Sequence, residues 1–484
     1  MKITNFLRSA LLIALAIIMV LGCVACAKEE ELPAETKVDA SDADGLNLPD
    51  VDYGGKDFIM LVRNYNEYVN DVYIEEVTTE SSTLNRKVYE RNKLVASEYG
   101  VNFVTVTDDA VKINNAVSIS ALSEPDAYDL IINDGRSIFG GITSGYYYDW
   151  NNLEYVSLDK PWWNQSANEN WRTRGGKLFA MTGDISPLSI GSMAGMFFNK
   201  TILSDANIDS PYQYVYDDNW TLETFSKLVK DADAAMNGDG SGDIASDQFA
   251  YATQRWRGPS FAYYCSNEPM IKLSGDKYIV NAGNERTVTA VNDYFNILFG
   301  GACYYGATDA DLQPLRDAFT AGRVAFNDDN LKCAVEFKGT SIDFGIVPWP
   351  KYDEDTEAYP SVIGTGANTF AVLQNTSAKN AERISVILEA MAYYGSKDVI
   401  SYYYDQLLSY QAMKDADSLA MLQIIHDTSH VDMIQYTNYG NIVDLPRLVL
   451  ENPSKYGMTI ATAVKVVENE VLSMLEAWYA LDSE

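Results

Sequence analysis

The chain has 484 residues, 47% of them apolar and 12% aromatic, so it can form a large core and still leave aromatic side chains for surfaces. Its 36 basic residues face 68 acidic ones, a net charge of −32. A chain this acidic repels phosphate backbones and anionic lipid headgroups, which argues against nucleic-acid binding and against electrostatic attachment to a membrane.

The first element is a leader. Lys2 and Arg8 are the only charges before Lys28, and SALLIALAIIMVLG runs uncharged up to Cys23. A basic start and an apolar run shorter than the about 20 residues of a membrane span read as a signal peptide. Small residues then lead to cysteine twice. This resembles the lipobox of bacterial lipoproteins, in which the cysteine after the cut carries the lipid. Val24-Ala25-Cys26 runs straight into polar sequence, so Cys26 is the preferred site and 1–25 the leader. Cys23, after Val20-Leu21-Gly22, is the alternative. A redox or zinc CxxC would need a neighbouring fold or a second ligand pair, and neither is present. Residues 26–51 are acidic, carry Pro33 and show no period, as expected of a disordered tether. Loss of Lys2 and Arg8 with the leader leaves 34 basic against 68 acidic residues, a net −34. The later cysteines, Cys265, Cys303 and Cys333, are too few for a disulfide framework; they read as buried thiols or one bridge.

Alternating elements follow. Lys56–Arg63 (KDFIMLVR) reads as a strand. Residues 83–98 read as a helix with Leu84, Val88, Leu94 and Val95 near one face. Tyr99-Gly100 stops it, and residues 101–106 (VNFVTV) form a second strand. Residues 129–132 (DLII) are a third, short and continuously apolar as in a buried parallel sheet, ending in a polar loop Asn133-Asp134-Gly135-Arg136. In a doubly wound sheet, ligands sit beyond the carboxyl ends of such strands. The C-terminal part reads as helices over 381–394, 396–408, 418–426 and 459–481. There is no internal repeat, GxSxG, P-loop or GxGxxG after a strand. The only histidines, His426 and His430 in HDTSH, have the spacing of one helix face, but no third metal ligand accompanies them.

Four stretches carry a resemblance. Pro211-Tyr212 followed by Trp220-Thr221-Leu222-Glu223-Thr224-Phe225 resembles a helix start, with Thr221 as its N-cap, found in family 1 extracellular solute-binding proteins, the sugar receptors of ABC importers in Gram-positive bacteria. Met196-Phe197-Phe198-Asn199-Lys200 resembles a strand end of the same family. Asp343-Phe344-Gly345-Ile346-Val347-Pro348-Trp349-Pro350 resembles its G-[IV]-x-P-x-P strand, and Tyr359 to Val372 the glycine-bearing continuation. Their order and spacing fit, over roughly Tyr53 to Glu484. The resemblance implies a two-lobed α/β periplasmic-binding-protein-like fold with discontinuous lobes and a hinge, one lobe from 52–184 plus 346–396 and the other from 185–345 plus 397–484. It implies a monomeric receptor outside the cell membrane, held there by its lipid alone. Such a receptor would capture a carbohydrate in the interlobe cleft without chemistry and deliver it to ABC permease subunits. A surface glycoside hydrolase, needing two carboxylates at fixed separation, and a receptor for a non-sugar solute are the alternatives.

Sugars present flat C–H faces and a rim of hydroxyls, so a site needs aromatic planes and bidentate polar groups in a preformed cleft. Asn64 and Tyr65 follow the first strand; Asp134 and Arg136 follow the third, in the loop most like the family's sugar-contacting segment. Arg255, Trp256 and Phe261 lie in QRWRGPSF, where the family places a stacking aromatic. Asp328, Asp329 and Asn330 follow Gly322–Phe326, a loop facing ligand in relatives. Trp162 and Trp163 in KPWWNQ are as apt to pack beneath a loop as to stack on sugar. No cofactor is expected apart from a structural calcium. The turn Asn237 to Asp247 resembles an EF-hand-type loop, with Asn237, Asp239, Asp243 and Asp247 as ligands and Gly240 at the bend, although Ala235 stands at its first position. A plain polar turn is the competing reading.

Overall fold

The computed structural model describes residues 45–64, 71–238, 241–274, 277–412, 415–452 and 459–483. Two units separate, Met1–Asn47 and Leu48–Glu484, and the elements below belong to the second. The lipidation cysteines and all but the last residues of the tether lie outside the described residues.

Among the described residues, nine strands make up the two larger sheets. They are β1 (Lys56–Arg63), β2 (Val101–Asp108), β3 (Leu130–Asp134), β4 (Ala194–Asn199), β5 (Phe249–Gln254), β6 (Cys303–Gly306), β7 (Val324–Asn330), β8 (Phe344–Val347) and β9 (Asn368–Ala371). The first sheet has the order β9-β3-β1-β2 and the second β8-β4-β7-β5-β6. In each sheet one strand runs against the rest. β9 is antiparallel to β3, and β4 is antiparallel to β7 and β8. The helices used below are α1 (Thr83–Tyr99), α2 (Ala110–Ser123), α3 (Gly135–Ile142), α4 (Leu222–Ala235), α5 (Gly258–Tyr264), α6 (Glu285–Phe299), α7 (Ala378–Tyr394), α8 (Ala416–Thr428), α9 (Leu445–Glu451) and α10 (Ile460–Ala480).

The first βαβ unit follows from local chemistry. β1 has the expected bounds, and its apolar Phe58, Met60, Leu61 and Val62 are buried. Ser82 caps α1 by accepting from the Asn85 N–H. Gly100 ends α1 in the left-handed region at φ 61°, where a Cβ would overlap Asp52. The buried face of α1 differs from expectation at one residue. Leu94 is exposed, and Arg91 is buried in the row Val88, Arg91, Val95 that the 3.6-residue period selects. Its guanidinium donates to the carbonyls of Ile185 at 2.6 Å and Val72 at 2.7 Å, and burial lowers its pKa to about 9.

Residues 184–193 lead from the first sheet to the second, and the chain returns between β8 and β9. All four β8 residues pair with β4, so the return comes after Val347 and the expected boundary at 346 falls inside a strand. Three crossing segments meet side by side. Met193 bridges Ile363, and the Ile363 N–H donates to the His430 carbonyl at 2.9 Å. The stretch 397–484 does not belong to one side alone. Trp478 stacks on Phe139 of α3 at 5.5 Å, while Tyr436 packs on Trp171 at 4.8 Å. From the other side, Tyr479 of α10 stacks on Tyr278 at 4.8 Å, beside the second sheet's elements. The expected helix at 396–408 is π-helical, over Gly395–Ile400 and Tyr402–Ala412.

The stretches that carry the family resemblance come together. β4 and β8 lie antiparallel, with Phe344 opposite Asn199. The Trp220 indole donates to the Pro348 carbonyl at 2.7 Å, and the Leu222 N–H to the Lys351 carbonyl at 2.9 Å. Thr221 caps α4 by accepting from the Thr224 N–H.

Candidate functional site

The carboxyl edge of the first sheet carries Arg63 and Asp134, and that of the second carries Gln254, Gly306 and Asn330. Asp134 is the N-cap of α3. One carboxylate oxygen accepts from the Ser137 N–H at 3.0 Å, the other from the Ser137 hydroxyl at 2.7 Å and from Arg63 at 3.0 Å. The polar loop expected after β3 is therefore the first turn of a helix, and Asp134 is largely engaged in holding it. Arg136, one residue into that helix, points elsewhere. It donates to the Gln435 carbonyl and pairs with Asp444, both at 3.3 Å.

Asp444 begins a string of ion pairs. Arg447 lies 3.9 Å from Asp444 and 2.9 Å from Glu451. Glu451 also pairs with Arg255, just beyond β5, at 2.8 Å and accepts from the Tyr305 hydroxyl of β6 at 2.7 Å. The string runs Arg136–Asp444–Arg447–Glu451–Arg255 and joins the carboxyl edges of the two sheets through α9. Trp256 lies at its end and is 42% exposed. The guanidiniums of Arg447 and Arg255 lie 4.3 and 4.8 Å from the ring centroid, and the indole N–H donates to Asp309. Among the described residues, four buried polar atoms here have no protein partner: Asp444 Oδ1, Gln435 Oε1, Arg447 Nε and Arg255 Nε. Buried polar atoms are normally satisfied, so a cluster of orphans marks where water or a polar ligand completes the set.

The remaining expected ligand residues divide by burial. Asn64 is exposed at the end of β1, and Tyr65 lies outside the described residues. Trp162 and Trp163 are buried; the Trp163 indole donates to Glu389 at 2.8 Å and Trp162 meets Tyr393 edge-on. They pack beneath the surface. Phe261 is also buried, stacked on Trp349 at 5.5 Å. Asp328 and Asp329 lie inside the second sheet's core, because β7 extends to Asn330 where a loop was expected. Asp328 accepts from the Tyr251 hydroxyl at 3.2 Å, and burial pushes its pKa up to about 7. Burial would raise Asp329 as well, but Arg257 at 2.8 Å and Arg316 at 2.7 Å hold it at about 2. Asn330 is half-buried at the strand end. The structure thus brings Arg136, Arg255 and Trp256 to one place and assigns Trp162, Trp163, Phe261, Asp328 and Asp329 to packing. Sequence reasoning missed Gln435, Asp444, Arg447 and Glu451. One signal existed: Asp444, Arg447 and Glu451 stand at i, i+3 and i+7, a charged row on one helix face in an otherwise apolar segment.

At the turn resembling a calcium loop, Asp239 and Gly240 lie outside the described residues. Asp243 accepts from the Ala245 N–H and Asp247 from the Gly242 N–H. Among the described residues, no group of three or more His, Cys, Asp or Glu could hold a metal ion. His426 ends up on α8 and His430 beyond it in a short strand, so they do not share a helix face. Cys265, Cys303 and Cys333 are free.

No family model matches the chain, and no curated protein matches it in sequence. Solved structures do match in shape. The GacH receptor of Streptomyces glaucescens, solved without ligand and with acarbose, matches at a TM-score of 0.58 and 13% identity, covering 87% of this chain and 99% of that one. The ABC substrate-binding protein of Listeria monocytogenes in complex with cycloalternan matches at 0.57 and 12%, covering 87% and 99%. UgpB from Mycobacterium tuberculosis in complex with glycerophosphocholine matches at 0.55 and 16%, covering 89% and 100%. The fold is periplasmic-binding-protein-like. In this two-lobed fold the string from Arg136 to Arg255 runs from one lobe's carboxyl edge to the other's. Two of these neighbours are named for binding, as a receptor and as a substrate-binding protein. Among the described residues, no helix is long and apolar enough to cross a membrane.

Proposed function

We propose that the chain is a family 1 extracellular solute-binding protein that captures a saccharide between its lobes and delivers it to an ABC permease. The observation that carries this reading is the cluster around Trp256. An exposed indole, cations over its ring and orphaned buried polar atoms lie where the carboxyl edges of the two sheets are joined. An aromatic plane beside such donors and acceptors suits a sugar ring and its hydroxyls. Charge supports a neutral ligand. Arg136 pairs with Asp444, Arg255 and Arg447 share Glu451, and Asp309, bonded to the Trp256 indole, brings the local count to three cations and three acids, a balance that favours a neutral ligand. Crossing segments paired at Met193, Ile363 and His430 suit a hinge between the lobes. The leader and lipobox support anchoring through Cys26, or Cys23, at the outer face of the cell membrane, which would keep the receptor near its permease.

A thermal-shift screen of the mature protein against mono- and oligosaccharides, with glycerophosphodiesters as the charged comparison, tests the reading. A ligand at about 100 times its Kd adds about 2.7 kcal/mol to the stability of the folded state. An upward shift with neutral saccharides alone is expected. A shift with glycerophosphodiesters alone would replace the sugar by another solute, and no shift with any solute would remove the receptor reading.

A further inference from the structure

A second groove belongs to the second lobe and shares no residue with the cluster at Trp256. It runs between α4 and α6 and has a volume of about 700 Å³, within the range of small-molecule sites of roughly 300–1,000 Å³. Leu222 and Ile297 lie at its base, each exposing only a small part of its side chain. Tyr352 forms one wall. The Arg286 guanidinium lies over its ring at 5.1 Å and is itself fixed by Asp353, to which it donates at 2.8 Å. The Arg286–Asp353 pair therefore holds one of the groove's lining rings in place. Polar groups of both signs line the sides, each set on one helix face. Glu223, Lys227 and Lys230 come from α4, and Asp293 and Asn296 from α6. Lys227 is already paired with Asp231 at 2.9 Å. Burial disfavours the charged form of Asp293.

We infer that this groove is a second saccharide-binding site, which holds a segment of a neutral polysaccharide against the Tyr352 ring. A strongly anionic chain would meet Glu223, Asp231 and Asp353, and a strongly cationic one would meet Lys227, Lys230 and Arg286. A neutral chain meets the Tyr352 ring and donors and acceptors of both kinds along the sides. The site would hold polymer near the cleft proposed to capture the transported solute. The sugar class is shared with the proposed function, but the site stands apart from it, and the two can fail separately.

The experiment is affinity electrophoresis of the mature protein in gels containing soluble starch, dextran, xylan or mixed-linkage glucan, with short oligosaccharides followed in parallel by thermal shift. At least one polymer is expected to retard the wild type. Tyr352→Ala should weaken that retardation at least tenfold, Tyr352→Phe should keep it, and Trp256→Ala should keep it while losing the oligosaccharide shift. Asn296→Ala, at an exposed helix position, should weaken it as well, and it decides the question if Tyr352→Ala fails to fold. Absence of retardation by every polymer overturns the inference. So does retardation unaffected by the folded groove variants, or lost with Trp256→Ala.

Discussion

Trp163 and Trp256 look alike in the sequence, each an indole in a short polar stretch, and burial separates their roles. Trp163 is 1% exposed and its N–H is committed to the buried Glu389, whereas Trp256 is 42% exposed. Trp163→Phe keeps an aromatic ring but takes a donor from a buried carboxylate. It should cost about 1–3 kcal/mol in denaturant unfolding and leave sugar affinity intact. Trp256→Ala should do the reverse, lowering affinity at least tenfold by calorimetry with the unfolding midpoint nearly unchanged. Two acids raised by desolvation set a pH dependence. Asp328 and Asp184 are raised by burial to about 7 and about 8. Each therefore binds its proton more tightly folded than unfolded, where the pKa is about 3.9. Their contribution is fully present below about pH 4 and is lost as pH rises through 7 to 8. Asp329, held at about 2, acts oppositely: its contribution is present above about pH 4 and is lost as pH falls toward 2. Stability should thus fall between pH 5 and pH 8. Melting of Asp328→Asn and Asp184→Asn across that window should show a shallower slope for each than for the wild type; an unchanged slope in both would refute the assignment.

Asp134 shows how an element can claim a residue that looks like a ligand. Its carboxylate caps α3 through Ser137 and is bridged by Arg63. Asp134→Ala should cost about 1–2 kcal/mol, the usual range for a lost cap, while Asp134→Asn should retain most of that stability because an amide oxygen still accepts from the Ser137 N–H. Denaturant titration of both variants checks this. Elements whose signals are local were legible in the sequence: β1 in full, and α1 with the Gly100 that ends it. The meeting of the Trp220, Met196 and Asp343 stretches was legible only as order and spacing. What escaped were choices made by tertiary packing. β7 continues through Asn327-Asp328-Asp329, polar residues that argue for a loop, because Arg316 and Arg257 pair with Asp329 and the Tyr251 hydroxyl donates to one oxygen of Asp328 inside the core. Leu94 gave up its place on the buried face of α1 to Arg91, whose carbonyl partners lie 19 and 94 residues away. The string from Arg136 to Arg255 depends on a pairing across 308 residues, which no local pattern encodes.

At the scale of the whole molecule, the C-terminal helices tie the two sheets together, and the ion-pair string is the polar part of that tie. Its links are unequal. Arg447 and Glu451 are 8% and 14% exposed and lie 2.9 Å apart, within one helix. Arg136 is 33% exposed and meets Asp444 at 3.3 Å, the one link that reaches α3 beside the first sheet. Water screens the Arg136 link, so its coupling should be small, about 0.5–1 kcal/mol. The inner link is shielded, and removing one partner there strands a buried charge, which costs more than a surface pair returns. A double-mutant cycle on Arg136→Gln and Asp444→Asn, read both as stability and as affinity for the saccharide found in the screen, separates the roles of this outer link. If the string only holds the lobes together, the coupling appears in unfolding and is absent from binding. If its orphaned atoms complete the ligand's hydrogen bonds, Asp444→Asn should lower affinity at least tenfold even in the Arg136→Gln background, where the ion pair is already gone. Equal affinity of the single and double variants with the wild type would place the ligand elsewhere in the cleft.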